Sequence, residues 1–124
     1  MESYSDIVES AAAPWVDGGI DVRSVINANA VPHREVTYVA HVPGFVKVGR
    51  CNHLRRRFTS LQIGNPIRIR LLGYRFGNHE IGVHYFLEQC GIERAVGEWF
   101  VDSLRTRELL WLRGLLCDRG NHGR

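Results

Sequence analysis

The feature that most constrains this chain is a pair of apolar runs separated by two residues. "EVTYVAHV", Glu35 to Val42, and "FVKVG", Phe45 to Gly49, flank Pro43-Gly44. Both runs are rich in β-branched and aromatic residues, which predicts two strands. Pro at the second and Gly at the third turn position predict a type II turn. A two-residue loop puts Lys47 across from Ala40, with Tyr38 two residues along on the same face. A shorter loop would set Tyr38 and Lys47 directly opposite, still on one face. An ammonium near a phenol favours the phenolate and lowers a pKa that is ordinarily about 10. The competing reading is an ordinary sheet tyrosine covered by a lysine stem.

The rest of the chain supplies partners for this hairpin. Asn52 is the expected cap of a helix over "HLRRRFTSLQI", stopped by Gly64 and Pro66. "PIRIRLLGYRF" alternates Ile67, Ile69 and Leu71 with Arg68 and Arg70, which predicts a strand with one basic face. "HEIGVHYFLEQC" reads as a helix ended by Gly91, and "GEWFV" as short and extended. "SLRTRELLWLRGLLC" reads as a final amphipathic helix, with Leu104, Leu109, Leu110, Trp111 and Leu116 mostly on one side. This order predicts an α+β fold, a central three-stranded, mostly antiparallel sheet flanked by helices. Residues 1–34 carry "AAAP", "DGG" and "NANAVPH" and read as an N-terminal arm or extension, with a short helix around Ser5 to Ala12. Residues 35–124 are the expected domain, and a chain of 124 residues is long enough to bury a core without staples.

Charge is unevenly placed. Lys47 is the only lysine among 16 basic residues. No acidic residue lies between Glu35 and Glu80, and Arg50, Arg55, Arg56, Arg57, Arg68, Arg70 and Arg75 fall inside that window. Such an electropositive block is the footprint of a phosphate-binding surface. Cys51, Cys90 and Cys117 are widely spaced with no CxxC pair, so reduced thiols are expected rather than a thiolate zinc site. No apolar run is long enough to span a bilayer, and "MESYSDIVES" is not a signal peptide, so a cytoplasmic protein without a membrane partner is expected.

Three further side chains are candidates. Leu54, Phe58 and Leu61 mark the buried stripe of the first helix, with Arg57 beside it, Arg56 nearly opposite and Arg55 on the other flank. Arg57 is best placed to reach over the sheet, or else it snorkels along the core edge. Glu80 and His84 are four apart on one helix face, bordering an apolar side of Ile81, Val83, Phe86, Leu87 and Cys90. A carboxylate there can hold Mg²⁺ with water in the other positions. The alternative is an acid that complements the helix dipole.

Together these residues resemble the GIY-YIG nuclease superfamily, in particular a phage- and bacterial-type branch with Lys in its second motif. Val36-Thr37-Tyr38 is similar to GIY, keeping the tyrosine, and Lys47-Val48-Gly49 to YIG, with Lys for Tyr. Arg57 stands eight residues after that glycine, in "NHLRRRF". "LQIGNP", Glu80 with His84, and Arg94 followed by Gly97-Glu98-Trp99-Phe100 match further motifs in order. The likeness covers about residues 36–101. Val36 and Thr37 depart from the first motif, and no late asparagine has a counterpart.

The resemblance implies a metal-dependent endonuclease that hydrolyses DNA phosphodiesters with one Mg²⁺ or Mn²⁺. Tyr38 would be the general base, helped by Lys47; Arg57 would stabilise transition-state charge; Glu80 would hold the metal; His84 would support it. Arg50, Arg55, Arg56, Arg68 and Arg70 would track the DNA backbone. Glu98 and Trp99 read mainly as structural, closing the fold, with Glu98 bordering the site as the lesser reading. Specificity would come from the arm, the last helix, a homodimer or a partner protein. The alternative is a catalytically weak nucleic-acid-binding module of the same fold.

Overall fold

The computed structural model describes residues 26–116. The expected helix near Ser5 to Ala12 and Cys117 lie outside these residues. Five strands form one sheet in the order β3-β1-β2-β5-β4, every pair antiparallel. They are β1 (Val36–Val42), β2 (Phe45–Cys51), β3 (Arg70–Phe76), β4 (Arg94–Val96) and β5 (Trp99–Val101). Three α-helices accompany them: α1 (Leu54–Gln62), α2 (Glu80–Gln89) and α3 (Leu104–Leu112). The class is α+β, as the element order predicts, but the sheet has five strands rather than three. The additional pairing comes from the hairpin of β4 and β5, whose short strands carry no long alternation.

The β1–β2 register is the one a two-residue loop dictates. Ala40 faces Lys47 and Tyr38 faces Gly49. Gly44 has φ +92°, the left-handed value a type II turn needs at its third position. β1 lies inside the sheet with helices on both faces, so all seven of its residues are buried. Tyr38, Ala40 and Leu71 pack with Leu54 and Phe58 of α1 on one face. Val39, Val46, Val48, Leu72 and Phe100 pack with Val83 and Leu87 of α2 and Leu109 and Leu110 of α3 on the other. The fold is therefore a three-layer helix–sheet–helix stack, which accounts for continuous apolar runs in the central strands.

Several local expectations change. α1 is capped by His53, not Asn52: its Nδ1 accepts from the Arg56 amide at 3.3 Å, and its ring stacks on His33 at 3.9 Å. β3 begins at Arg70 rather than near Pro66. Gln62 takes up the intervening backbone, accepting from Ile69 N at 2.8 Å and donating to Ile67 O at 3.0 Å. Ile81 is 80% exposed instead of joining the apolar side of α2. Leu104 is also exposed, whereas Arg107 of the same helix is fully buried against Asp102. The described part of the N-terminal segment packs onto the domain: Ile26 N donates to Leu71 O at 2.8 Å and Val31 is buried.

Candidate functional site

The site lies where β5 leaves β2. The two strands pair only over Phe45–Lys47. At the next residue, the Val48 amide donates to Glu98 O at 3.3 Å, and the Val48 carbonyl accepts from His84 Nε2 at 2.8 Å. A side chain from α2 thus takes over the strand edge. α2 is itself pinned to β1 by the buried Thr37 hydroxyl, which accepts from the His79 amide at 2.7 Å and donates to Gly77 O at 2.9 Å. That anchor fixes the first turn of α2 and so the position of Glu80.

Lys47 Nζ lies 2.8 Å from Glu98 Oε1 and 5.8 Å from the centre of the Trp99 ring. Glu98 in turn lies close enough to Glu80 for the two carboxyls to hydrogen-bond when one is protonated. Two carboxyls can bond to one another only through a shared proton. Burial, the Glu98 hydrogen bond and the Glu98 charge raise the Glu80 pKa against the pull of Lys47 and Arg50. The dipole at the start of α2 favours an anion, yet those effects prevail. Burial also pushes Glu98 upward, but its hydrogen bonds with Lys47 and Glu80 and the Lys47 charge outweigh it, so its pKa falls below the usual value. Of the two, Glu80 is the carboxyl that holds a proton more readily and Glu98 the one that ionises first.

Tyr38 is 1% exposed and lies across Gly49, where a Cβ would come 2.5 Å from its Oη. Only glycine leaves room for the phenol in this position. Phe58 packs on the ring edge-on, with centroids 5.6 Å apart. Burial raises the tyrosine pKa well above its usual value; Arg57 lowers it, while Cys51, Glu98 and Glu80 raise it further. This corrects the expected electrostatics. The phenol is held neutral rather than as phenolate, and the cation acting on it is Arg57, because Lys47 is committed to Glu98.

Arg57, Glu80 and Glu98 are thus each close enough for their charges to act on Tyr38, and Lys47 joins them through its ion pair. His84 acts on Glu98 as well as holding Val48. Arg50 pairs with Glu35 at 2.7 Å, and its charge reaches Glu80. Arg56 is exposed on α1. Arg55, Arg68 and Arg70 instead line a groove beside α1. Glu98, which reads from the sequence mainly as structural, is a full member of the cluster. The signal was its place next to Trp99, the residue that pairs with the lone lysine.

Among the described residues, no group of three or more His, Cys, Asp or Glu side chains is arranged to hold a metal ion. The neighbouring carboxyls of Glu80 and Glu98 form a smaller donor set. Oxygen donors completed by water suit Mg²⁺ or Mn²⁺ and are too few for a structural zinc. Comparison of the chain with protein-family models, curated proteins and solved structures found no match. Among the described residues, no helix is long and apolar enough to cross a membrane.

Proposed function

We propose that this protein is an endonuclease that hydrolyses DNA phosphodiester bonds with the help of one divalent cation. One observation carries the reading: a close pair of carboxyls, Glu80 and Glu98, sits beside Lys47, Tyr38 and Arg57 where β5 leaves β2. Glu80 and Glu98 would hold Mg²⁺ or Mn²⁺, which as a Lewis acid stabilises negative charge on the phosphate and leaving oxygens. Arg57 stabilises negative charge beside the phenol, whether on Tyr38 as water loses its proton or on the phosphate as it is attacked. Lys47 keeps Glu98 ionised. His84 holds the strand edge on which Lys47 and Gly49 stand. The basic window from Arg50 to Arg75 attracts the phosphodiester backbone.

A second reading, a nucleic-acid-binding module that does not cut, is favoured by the burial of Tyr38 and its raised pKa, since a neutral phenol is a weak base. Incubation with supercoiled plasmid and with branched and single-stranded DNA, in Mg²⁺ and in Mn²⁺, separates the two. Cleavage that Glu80→Gln abolishes supports the endonuclease. Salt-sensitive binding with no cutting in either metal rejects it in favour of the module.

A further inference from the structure

Leaving aside Arg57 of the site above and the exposed Arg56, the arginines of the described residues divide into two sets. Arg34 and Arg113 lie over the rings of Phe76 and Phe86. Arg50, Arg94 and Arg107 pair with carboxylates. Arg75 and Arg105 donate to backbone carbonyls. The guanidinium groups of Arg55, Arg68 and Arg70 engage no carboxylate, carbonyl or ring among the described residues. These three converge on one feature. A groove of about 1350 Å³ runs between α1, the start of β3 and the wall made by residues 26–29, and all three line it. Its floor is apolar, formed by Phe58, Ile63 and Pro66 over the buried Ile69 and Leu71, and among the described residues no acidic one lines it.

Size, charge and floor together narrow the occupant. The groove exceeds the roughly 300–1,000 Å³ of ordinary small-molecule clefts, which favours an extended polymer. Three uncommitted guanidiniums with no opposing acid favour a polyanion. A duplex would satisfy the arginines but would leave the apolar floor uncovered, because its bases are stacked inside. A single strand offers phosphates to the rim and base faces to the floor. We infer that this groove binds single-stranded DNA, so that the protein recognises an unpaired strand or a branch with an unpaired arm. The choice of DNA rests on the endonuclease reading; the preference for a single strand rests on the groove itself.

Fluorescence anisotropy in EDTA tests the inference without any chemistry. The probes are a labelled oligothymidylate of about 16 nucleotides, within the site size of single-strand binders, a duplex of equal length and an abasic strand of equal length. The oligothymidylate should bind at least about tenfold more tightly than either of the others. A combined Arg55→Ala, Arg68→Ala, Arg70→Ala variant, checked for an unchanged melting curve, should lose on the order of tenfold or more. Its dependence of log K on log salt should flatten by about 2, roughly 0.7 per lost phosphate contact. The assay contains no divalent cation and reads no cleavage, so failure to cleave would leave this result intact. Equal or tighter binding of the duplex overturns the inference. So does an abasic strand that binds equally well, a triple variant that binds unchanged, or displacement of the oligonucleotide by an equal concentration of polyglutamate, which would mark a protein partner.

Discussion

Under α3, Asp102 and Arg107 form a closed ion pair; at the edge of β2, Lys47, Glu98 and Glu80 form an open cluster. The closed pair is bidentate, with Nε to Oδ1 and a terminal nitrogen to Oδ2 both at 2.8 Å, and its side chains are almost wholly hidden from solvent. One planar cation meets one carboxylate, with the buried His41 imidazole 3.6 Å from the same Oδ2. The open cluster sets one ammonium against two carboxyls, and the Glu98 side chain is 42% exposed. The surplus acid is the harder of the two to ionise, so the Glu80 pKa is raised. Matched and buried charge makes a strut; mismatched charge at an opening makes a place where a proton or cation can be exchanged.

The largest effect should come from breaking the strut. Arg107→Ala leaves Asp102 buried with only His41 beside it, at 3.6 Å, and should cost about 3–5 kcal/mol by chemical denaturation. Replacing both partners, as Arg107→Met with Asp102→Leu, should recover most of that loss. A cost under about 1 kcal/mol for Arg107→Ala would mean that the pair is not closed as described.

Glu80→Gln probes the opposite case. Cleavage should fall at least about a hundredfold, near 2.7 kcal/mol in barrier, while the protein stays folded. The sign of the pH effect follows from the raised Glu80 pKa. The folded state holds that proton more tightly, so its contribution to stability is full below the ordinary value of 4.5 and is lost as pH rises through the raised value. Glutamine does not titrate. The variant should therefore be more stable than the parent at neutral pH, with the gain vanishing as pH falls toward 4.5. Melting curves across pH would detect it, and a gain that grows in acid would refute the raised Glu80 pKa.

Gly49→Ala should cost about 1–3 kcal/mol by overpacking against the Tyr38 hydroxyl, and cleavage should fall with it. An unaffected variant would show that the phenol is free to move. Lys47→Met should have the smallest effect on stability, under about 1 kcal/mol, because its partner is substantially exposed. The lowered pKa of Glu98 contributes stability above 4.5 that is lost as pH falls through the lowered value. The methionine variant should show less of that acid-side loss in pH-dependent unfolding.

The hairpin was legible because two residues between two apolar runs leave few registers, and Tyr38 and Lys47 followed from it. Glu80 and His84 were legible from helical spacing. β4 was not: Arg94, Ala95 and Val96 are all exposed, so no burial pattern marks that strand. The burial of Arg107 was hidden because its partner lies before the helix and only tertiary packing brings the two into the core. The start of β3 was misplaced because an alternating run cannot reveal that Gln62 claims its backbone groups. Ile81 was read as core from helical phase alone, which carries no information about where the sheet beneath it ends.

The contact between His84 and Val48 has a chemical consequence. A carbonyl oxygen can only accept, so Nε2 must carry a hydrogen. That bond survives in both the neutral ring and the imidazolium, and the strand edge is indifferent to which is present. Any proton that His84 gains or gives up passes through Nδ1. The imidazole can therefore act as a fixed fitting of the sheet on one side and as an acid or base on the other, with neither task disturbing the other.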